Sequence, residues 1–176
     1  MSGHNKFSKI KHLKAKNDAQ KSKVYGKYVR LITVEAKKAK GNLSSPGLAN
    51  AIEKARAENM PNDTIDRAVK KATTDNGAAM ESIVYEAYGP GGIAILIDAL
   101  TDNRNKAAQE IKAILARNDL ELAAPGSASW AFTKEGSEWK PTMTMPIEDA
   151  DIEKLTAVVE ALEENDEVQA VFTNAE

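Results

Sequence analysis

Ile93-Ala94-Ile95-Leu96-Ile97-Asp98-Ala99-Leu100 is an almost unbroken apolar run of strand length. Gly89-Pro90-Gly91-Gly92 precedes it as a tight turn, and Thr101-Asp102-Asn103 follows it as a helix cap. Upstream of the turn, Ile83 to Tyr88 is a second short strand. Downstream of the cap, a helix presents Ala107, Ala108, Ile111 and Leu115 to a core. Ala128, Trp130 and Phe132 then alternate with Ser129, Ala131 and Thr133, the period of a strand. Residues 134–141 are a polar connection, with Trp139 as a lid on the core. Met143 and Met145 alternate with Thr142 and Thr144 as another strand. Glu148 and Asp149 open a helix with Ile152, Leu155, Val159 and Leu162 on one face, and Val168, Ala170 and Phe172 form a last strand. From residue 93 the order is β-α-β-β-α-β, the ferredoxin-like split βαβ pattern.

Before this region the apolar period is 3.6 rather than 2. A first helix starts near Asn17 or Asp18, turns Val24, Tyr28, Leu31 and Ile32 to one face with Ala39 near them, and stops at Gly41. Gly26 inside it costs about 1 kcal/mol relative to Ala. Ser45-Pro46 places an N-cap before a Pro at the first helical position, and Leu48, Ala51, Ile52 and Ala55 point inward from the second helix. Asn59-Met60-Pro61-Asn62 breaks the chain before a third helix carrying Ile65, Ala68, Val69 and Ala72. The three apolar stripes can cover one another as a bundle. The fold class expected is α+β: an N-terminal three-helix bundle (residues 17–75), a linker (76–81) and a ferredoxin-like domain (82–176), preceded by a basic tail (1–16) that orders on a partner.

The 176 residues carry a net charge of only −2, but the charges are segregated. Residues 1–40 hold 12 Lys and Arg against Asp18 and Glu35, whereas residues 76–176 hold 7 basic and 19 acidic residues. One end is built to meet a polyanion. No apolar run is long enough to span a bilayer, and no apolar segment behind the first lysines suggests a secretory leader. Cysteine is absent, which excludes disulfides and thiolate chemistry and fits a reducing compartment. The two histidines, His4 and His12, both lie in the tail. A histidine-based triad or metal site in the folded body is therefore excluded, and no cofactor or metal is expected.

The sharpest pattern is a cationic stripe. At about 100° per residue, Lys16, Lys23, Arg30 and Lys37 recur seven apart and Lys27 falls between them, roughly opposite Val24, Tyr28 and Ile32, with only Val34 intruding. Lys6, Lys9, Lys11 and Lys14 extend the line into the tail. Lysines are compact charges suited to phosphates, whereas base reading favours Arg, Asn or Gln. Phe7 can stack on a base or anchor the tail, and His12 can hydrogen-bond or stack on nucleic acid. Capping accounts for Thr101 to Asn103 but leaves Arg104 and Asn105 as candidate partner contacts. Gly89 to Gly92 lacks the Lys-Ser/Thr of a phosphate-binding loop and is a turn. The acidic run Glu163, Glu164, Asp166, Glu167 is a solvated helix end.

Several stretches resemble one family. Gly3-His4-Asn5-Lys6-Phe7-Ser8-Lys9-Ile10-Lys11-His12-x-Lys14 is similar to the opening signature of the YebC/PmpR family, which includes the mitochondrial translational activator of cytochrome c oxidase. Asn59-Met60-Pro61-x-Asp63-Thr64-Ile65, Tyr88-Gly89-Pro90-Gly91-Gly92, Leu100-Thr101-Asp102-Asn103-Arg104-Asn105 and Leu162-Glu163-Glu164-Asn165-Asp166-Glu167-Val168-Gln169 resemble its further signatures, in order. The resemblance implies a helical N-terminal domain followed by two α+β domains, the third inserted in the second. This chain is shorter by about a domain between Phe132 and Thr142, a short form, and Phe7 stands where the family usually has tryptophan. The resemblance also implies a cytoplasmic, non-enzymatic, DNA-binding transcriptional regulator. A ribosome-associated factor on ribosomal RNA is the alternative, and a protein-binding adaptor a second one.

Overall fold

The computed structural model describes residues 18–74 and 79–176. They form two compact units, a helical one up to Glu81 and an α+β one from Ser82.

The helical unit consists of α1 (Asp18–Lys38), α2 (Pro46–Ala57) and α3 (Asn62–Thr74). Its core is built from Ile32 and Ala36 of α1, Leu48 and Ile52 of α2, and Ile65 and Ala68 of α3. Met60, between α2 and α3, is buried with them. Helix α1 ends two residues before the position that Gly41 alone suggests. Lys40 already takes a left-handed conformation (φ 50°), Gly41 follows at φ 79°, and the Gly41 N–H closes onto the Ala36 carbonyl at 2.9 Å. Gly41 is required twice over, because a Cβ there would stand 2.9 Å from Thr73 Cγ2 at the end of α3. Ser45 flanks α2 as the sequence predicts, but its side chain makes no capping bond. Tyr25 donates to the Asn59 carbonyl at 2.8 Å and fastens α1 to the α2–α3 turn.

The α+β unit runs β1 (Glu81–Tyr88), a single 3₁₀ turn (Pro90–Gly92), β2 (Ala94–Thr101), α4 (Arg104–Arg117), a second 3₁₀ turn (Ser129–Ala131), β3 (Phe132–Glu135), β4 (Glu138–Pro141), α5 (Asp149–Glu163) and β5 (Val168–Thr173). Strand β2 lies between β1 and β5 in a three-stranded sheet and pairs antiparallel with β5, Ile95 opposite Thr173 and Ile97 opposite Val171, with a bulge at Asp98 and Ala99. Its alternating side chains divide between two cores. Ile95, Ile97 and Ala99 join Ile111, Leu155 and Leu162 of the helices. Ala94 and Leu96 join Ala128, Ala131 and Phe132, with Trp139 and Phe172 packed alongside.

The β-α-β-β-α-β order is present from Ala94 onward, but the strands are distributed differently from the pattern that suggests it. β3 and β4 form their own two-stranded hairpin, turned at Gly136 (φ 61°), and β1 occupies the place beside β2. The segment expected as a polar connection, 134–141, is most of that hairpin. The strand expected at Met143 and Met145 is reduced to one parallel bridge, Met145 to Ala175. Asn174 ties that segment to β2 through both its backbone and its side chain. Its Nδ2 donates to the Met143 carbonyl at 3.2 Å, its backbone carbonyl accepts from Met145 N–H at 2.8 Å, and its Oδ1 takes the Ala94 N–H at 2.8 Å. The alternation expected from Ala128 to Thr133 is also broken. Ala128, Ala131 and Phe132 turn inward and Trp130 turns out.

The cause of that change is Glu86. Its residue is 7% exposed, yet its carboxylate accepts from the backbone N–H groups of Gly126 (2.7 Å), Ala128 (2.7 Å) and Ser129 (2.8 Å). Those N–H groups are thereby unavailable to a strand ladder, and the chain coils around the carboxylate instead. Burial alone would raise the Glu86 pKa, but the three backbone donors outweigh it and hold it below the ordinary glutamate value. Glu167 departs from expectation in the same sense. The acidic run is not wholly solvated, because Glu167 is 1% exposed and takes Lys106 Nζ of α4 at 3.1 Å.

Two consequences are measurable. Glu86→Gln leaves a buried site short of an acceptor charge and should cost about 1–3 kcal/mol at neutral pH. The folded pKa lies below the unfolded one, so the carboxylate's contribution is complete above about 4.3 and is lost as pH falls through the folded value. Denaturant melts of parent and variant should therefore converge in acid; an equal gap at every pH would contradict the ionised cradle. Gly26 is exposed, with open space where a Cβ would stand. Gly26→Ala should stabilise the helical unit by about 0.5–1 kcal/mol, read as a rise in its melting midpoint, and a fall would show that the glycine answers a contact.

Candidate nucleic-acid interface

The cationic end is built on α1. Its inward face is fixed by the buried Ile32 and Ala36 and by partly buried Tyr25, Tyr28, Val29 and Leu31. The remaining surface carries the cations. Lys23 is exposed, whereas Lys27, Arg30 and Lys37 are half-buried and each has a polar or electrostatic partner. Val34, which shares their stripe, is 7% exposed. The stripe is thus a row of cations standing against the protein surface at its C-terminal half rather than an open line of solvated ammonium groups. Lys6, Phe7, Lys9, Lys11, His12, Lys14 and Lys16 lie outside the described residues.

The periodicity missed part of the positive surface. Lys21, Lys38 and Lys40 are exposed as well. They fall off the seven-residue repeat, and Lys40 leaves the helix in the left-handed turn, so a helical projection does not place them. The one carboxylate within the body of α1, Glu35, is occupied internally. It holds Lys38 Nζ at 2.8 Å, and its Oε2 lies against the first turn of α2, where a Cβ on Gly47 would stand 2.2 Å from it. The positive end of the α2 dipole favours an anion there, and the protein supplies its own. That leaves the other solvent-facing cations of α1 without a competing carboxylate from the body of the same helix.

Arg104 and Asn105 belong to the α+β unit. Both are exposed at the start of α4. Asn103 is the cap proper, its Oδ1 accepting from Lys106 N–H at 3.1 Å, and the Thr101 hydroxyl accepts from Asn103 N–H at 2.9 Å. Tyr85 donates to the Arg104 carbonyl at 3.3 Å. The first turn of α4 is therefore capped and tied to β1 without the Arg104 and Asn105 side chains, which are exposed.

Among the described residues, no three His, Asp or Glu side chains converge as metal ligands, and no helix is long and apolar enough to cross a membrane. A shallow cleft of about 260 Å³ between the ends of α4 and α5 is lined by Arg117, Asn118, Glu164 and Asn165 beside Ile114 and Ala161. It contains no nucleophile paired with a base.

Comparison with known proteins agrees with this architecture. Residues 5–75 match the family model described as the TACO1/YebC protein N-terminal domain, and residues 80–138 match that described as the TACO1/YebC second and third domain. A protein of Fervidobacterium nodosum named "Probable transcriptional regulatory protein" is 36% identical over 235 residues, covering 99% of this chain and 93% of that one. The alignment is longer than the chain, so the relative carries internal sequence that this short form lacks. A Thermotoga petrophila protein of the same name is 47% identical over 138 residues, covering 77% of this chain and 54% of its own length. A crystal structure of a conserved hypothetical protein from Aquifex aeolicus superposes with a TM-score of 0.83 at 29% identity, covering 95% of each chain. With both domain models matched in order and the fold shared, the chain belongs to the TACO1/YebC family.

Proposed function

We propose that the protein is a non-enzymatic, nucleic-acid-binding regulator of gene expression that acts in the cytoplasm. The observation that carries this reading is the segregation of charge, 12 basic residues against two acidic ones in the first forty. On α1 this segregation is sharpened by the internal use of Glu35. The basic tail and α1 grip phosphates; Lys6, Lys9, Lys11, Lys14, Lys16, Lys23, Lys27, Arg30 and Lys37 supply the charge, with Phe7 and His12 against the bases. Arg104 and Asn105 contact the partner from the second unit. DNA is the first target to test, because the relatives carry the name "Probable transcriptional regulatory protein" and transcription is regulated at DNA.

A second reading is favoured by the kind of cation present. The N-terminal charge is almost wholly lysine, and the helices of the first unit carry no arginine-rich reading face. Such a surface suits the backbone of structured RNA, ribosomal RNA included, better than strict base readout in duplex DNA. On either target the binding is dominated by counterion release. Five to eight phosphate contacts on a duplex give a slope of log K against log salt of about −4 to −7.

The test is a salt titration of the full chain against DNA and RNA probes of equal length. Lys23→Gln and Lys27→Gln should each weaken binding on every sequence and reduce the slope by about 1, with far-UV circular dichroism unchanged. Unaltered affinity and slope in the double variant would remove α1 from the grip.

A further inference from the structure

Trp130 is 58% exposed and Tyr88 is 38% exposed, although both are large aromatics on an otherwise well-packed unit. Neither is loose. The Trp130 indole N–H donates to the Ser127 carbonyl at 2.8 Å and lies 3.3 Å from Tyr88 Oη, and the Tyr88 hydroxyl donates to the same carbonyl. Ser127 itself sits within the loop that Glu86 clamps through Gly126, Ala128 and Ser129. The two rings are thus tied by their polar atoms to one carbonyl, on a support anchored to a buried carboxylate. Their polar atoms are satisfied within the chain, so what they offer a partner is aromatic surface. Rigid exposed Trp and Tyr have the composition of an interface hot spot, and pre-ordering removes most of the entropic cost of using them.

The charge of the surrounding unit indicates the occupant. Residues 82–176 hold 18 acidic and 7 basic residues. A stacked nucleobase would bring its phosphate to a net-negative body, whereas a cationic protein segment meets favourable potential. A tryptophan face is also the strongest aromatic acceptor for a guanidinium or ammonium group. The unit uses this chemistry internally, with Lys134 Nζ 5.5 Å from the Trp139 ring centroid.

We propose that Trp130 and Tyr88 form a docking anchor for an arginine- or lysine-rich segment of a protein partner, distinct from the nucleic-acid grip on α1. The experiment is a fluorescence titration of the full chain, in a Trp139→Phe background that leaves Trp130 as the reporter, with an oligoarginine peptide and separately with a single-stranded oligoribonucleotide. If that background fails to fold, parent-minus-Trp130→Ala emission reports the same ring. The expected result is a saturable change in Trp130 emission with the peptide, affinity reduced about tenfold by Trp130→Ala, largely retained by Trp130→Phe, and an unchanged melting temperature. Equal peptide affinity in Trp130→Ala, or no emission change with the peptide, would overturn the proposal. So would a change produced by the oligonucleotide instead, which would assign the rings to base stacking.

Discussion

Strand β2 is buried on both faces, and the α+β unit follows from how that burial is divided. Odd-numbered residues from Ile95 to Ala99 face α4 and α5, and Ala94 and Leu96 face the segment from Ala128 to Phe132. A central strand of this kind needs cover on both sides. Two helices supply one cover cheaply, because each brings a full apolar stripe. The other side is covered by a short coil and a two-stranded hairpin, which have little apolar area of their own. That thinner layer is held in place by polar devices instead: the Glu86 carboxylate on three backbone N–H groups, and Asn174 spanning Ala94 and Met143. Asp98, at the bulge on the same strand, receives the Ser82 hydroxyl at 3.3 Å. Burial pushes its carboxyl above the ordinary value, against the opposing pull of Ser82 and Lys134.

The helical unit solves a different problem. It must present positive charge without unfolding itself by self-repulsion. Small residues do the packing, with Ala51, Ala55, Ala68 and Ala72 allowing the helices to approach, and Gly41 sits where a Cβ would meet Thr73 of α3. The carboxylate of Glu35 is spent between Lys38 and the α2 terminus. Three of the four stripe cations among the described residues, Lys27, Arg30 and Lys37, are partly buried and partnered. Partly buried, partnered cations have less side-chain entropy left to lose than fully solvated lysines have. Net charge is thus positive in the helical unit and negative in the α+β unit.

Much of this was readable from residues alone where local chemistry decides. The run from Ile93 to Leu100, the Gly-Pro-Gly-Gly turn, the Ser45-Pro46 start, the Asn103 cap and the amphipathic stripes all lie where short-range rules put them. What was not readable depends on residues distant in sequence. Alternation at Ala128, Trp130 and Phe132 is a sound strand signal, and it is overridden because Glu86, more than forty positions earlier, takes the backbone donors. A lone glutamate in a strand carries no mark of that role. The Met143–Met145 segment keeps only a single bridge, and the Met143 carbonyl is taken by the Asn174 side chain, a partner distant in sequence. The exposed aromatic pair was hidden for the same reason, since an alternating pattern assigns Trp130 to the core. For the cations, periodicity located Lys23, Lys27, Arg30 and Lys37 on one helix face but not their partial burial, which depends on what else packs there.

The most direct test of the central claim is to crosslink the protein in growing cells and sequence the co-purifying nucleic acid, locating the crosslinked peptides by mass spectrometry. Specific enrichment of nucleic acid is expected, with attachment sites within residues 1–40. Promoter DNA would identify a transcriptional regulator, and discrete ribosomal RNA positions a factor acting on the ribosome. Recovery of neither above the level of a chain neutralised at its N-terminal lysines would contradict it.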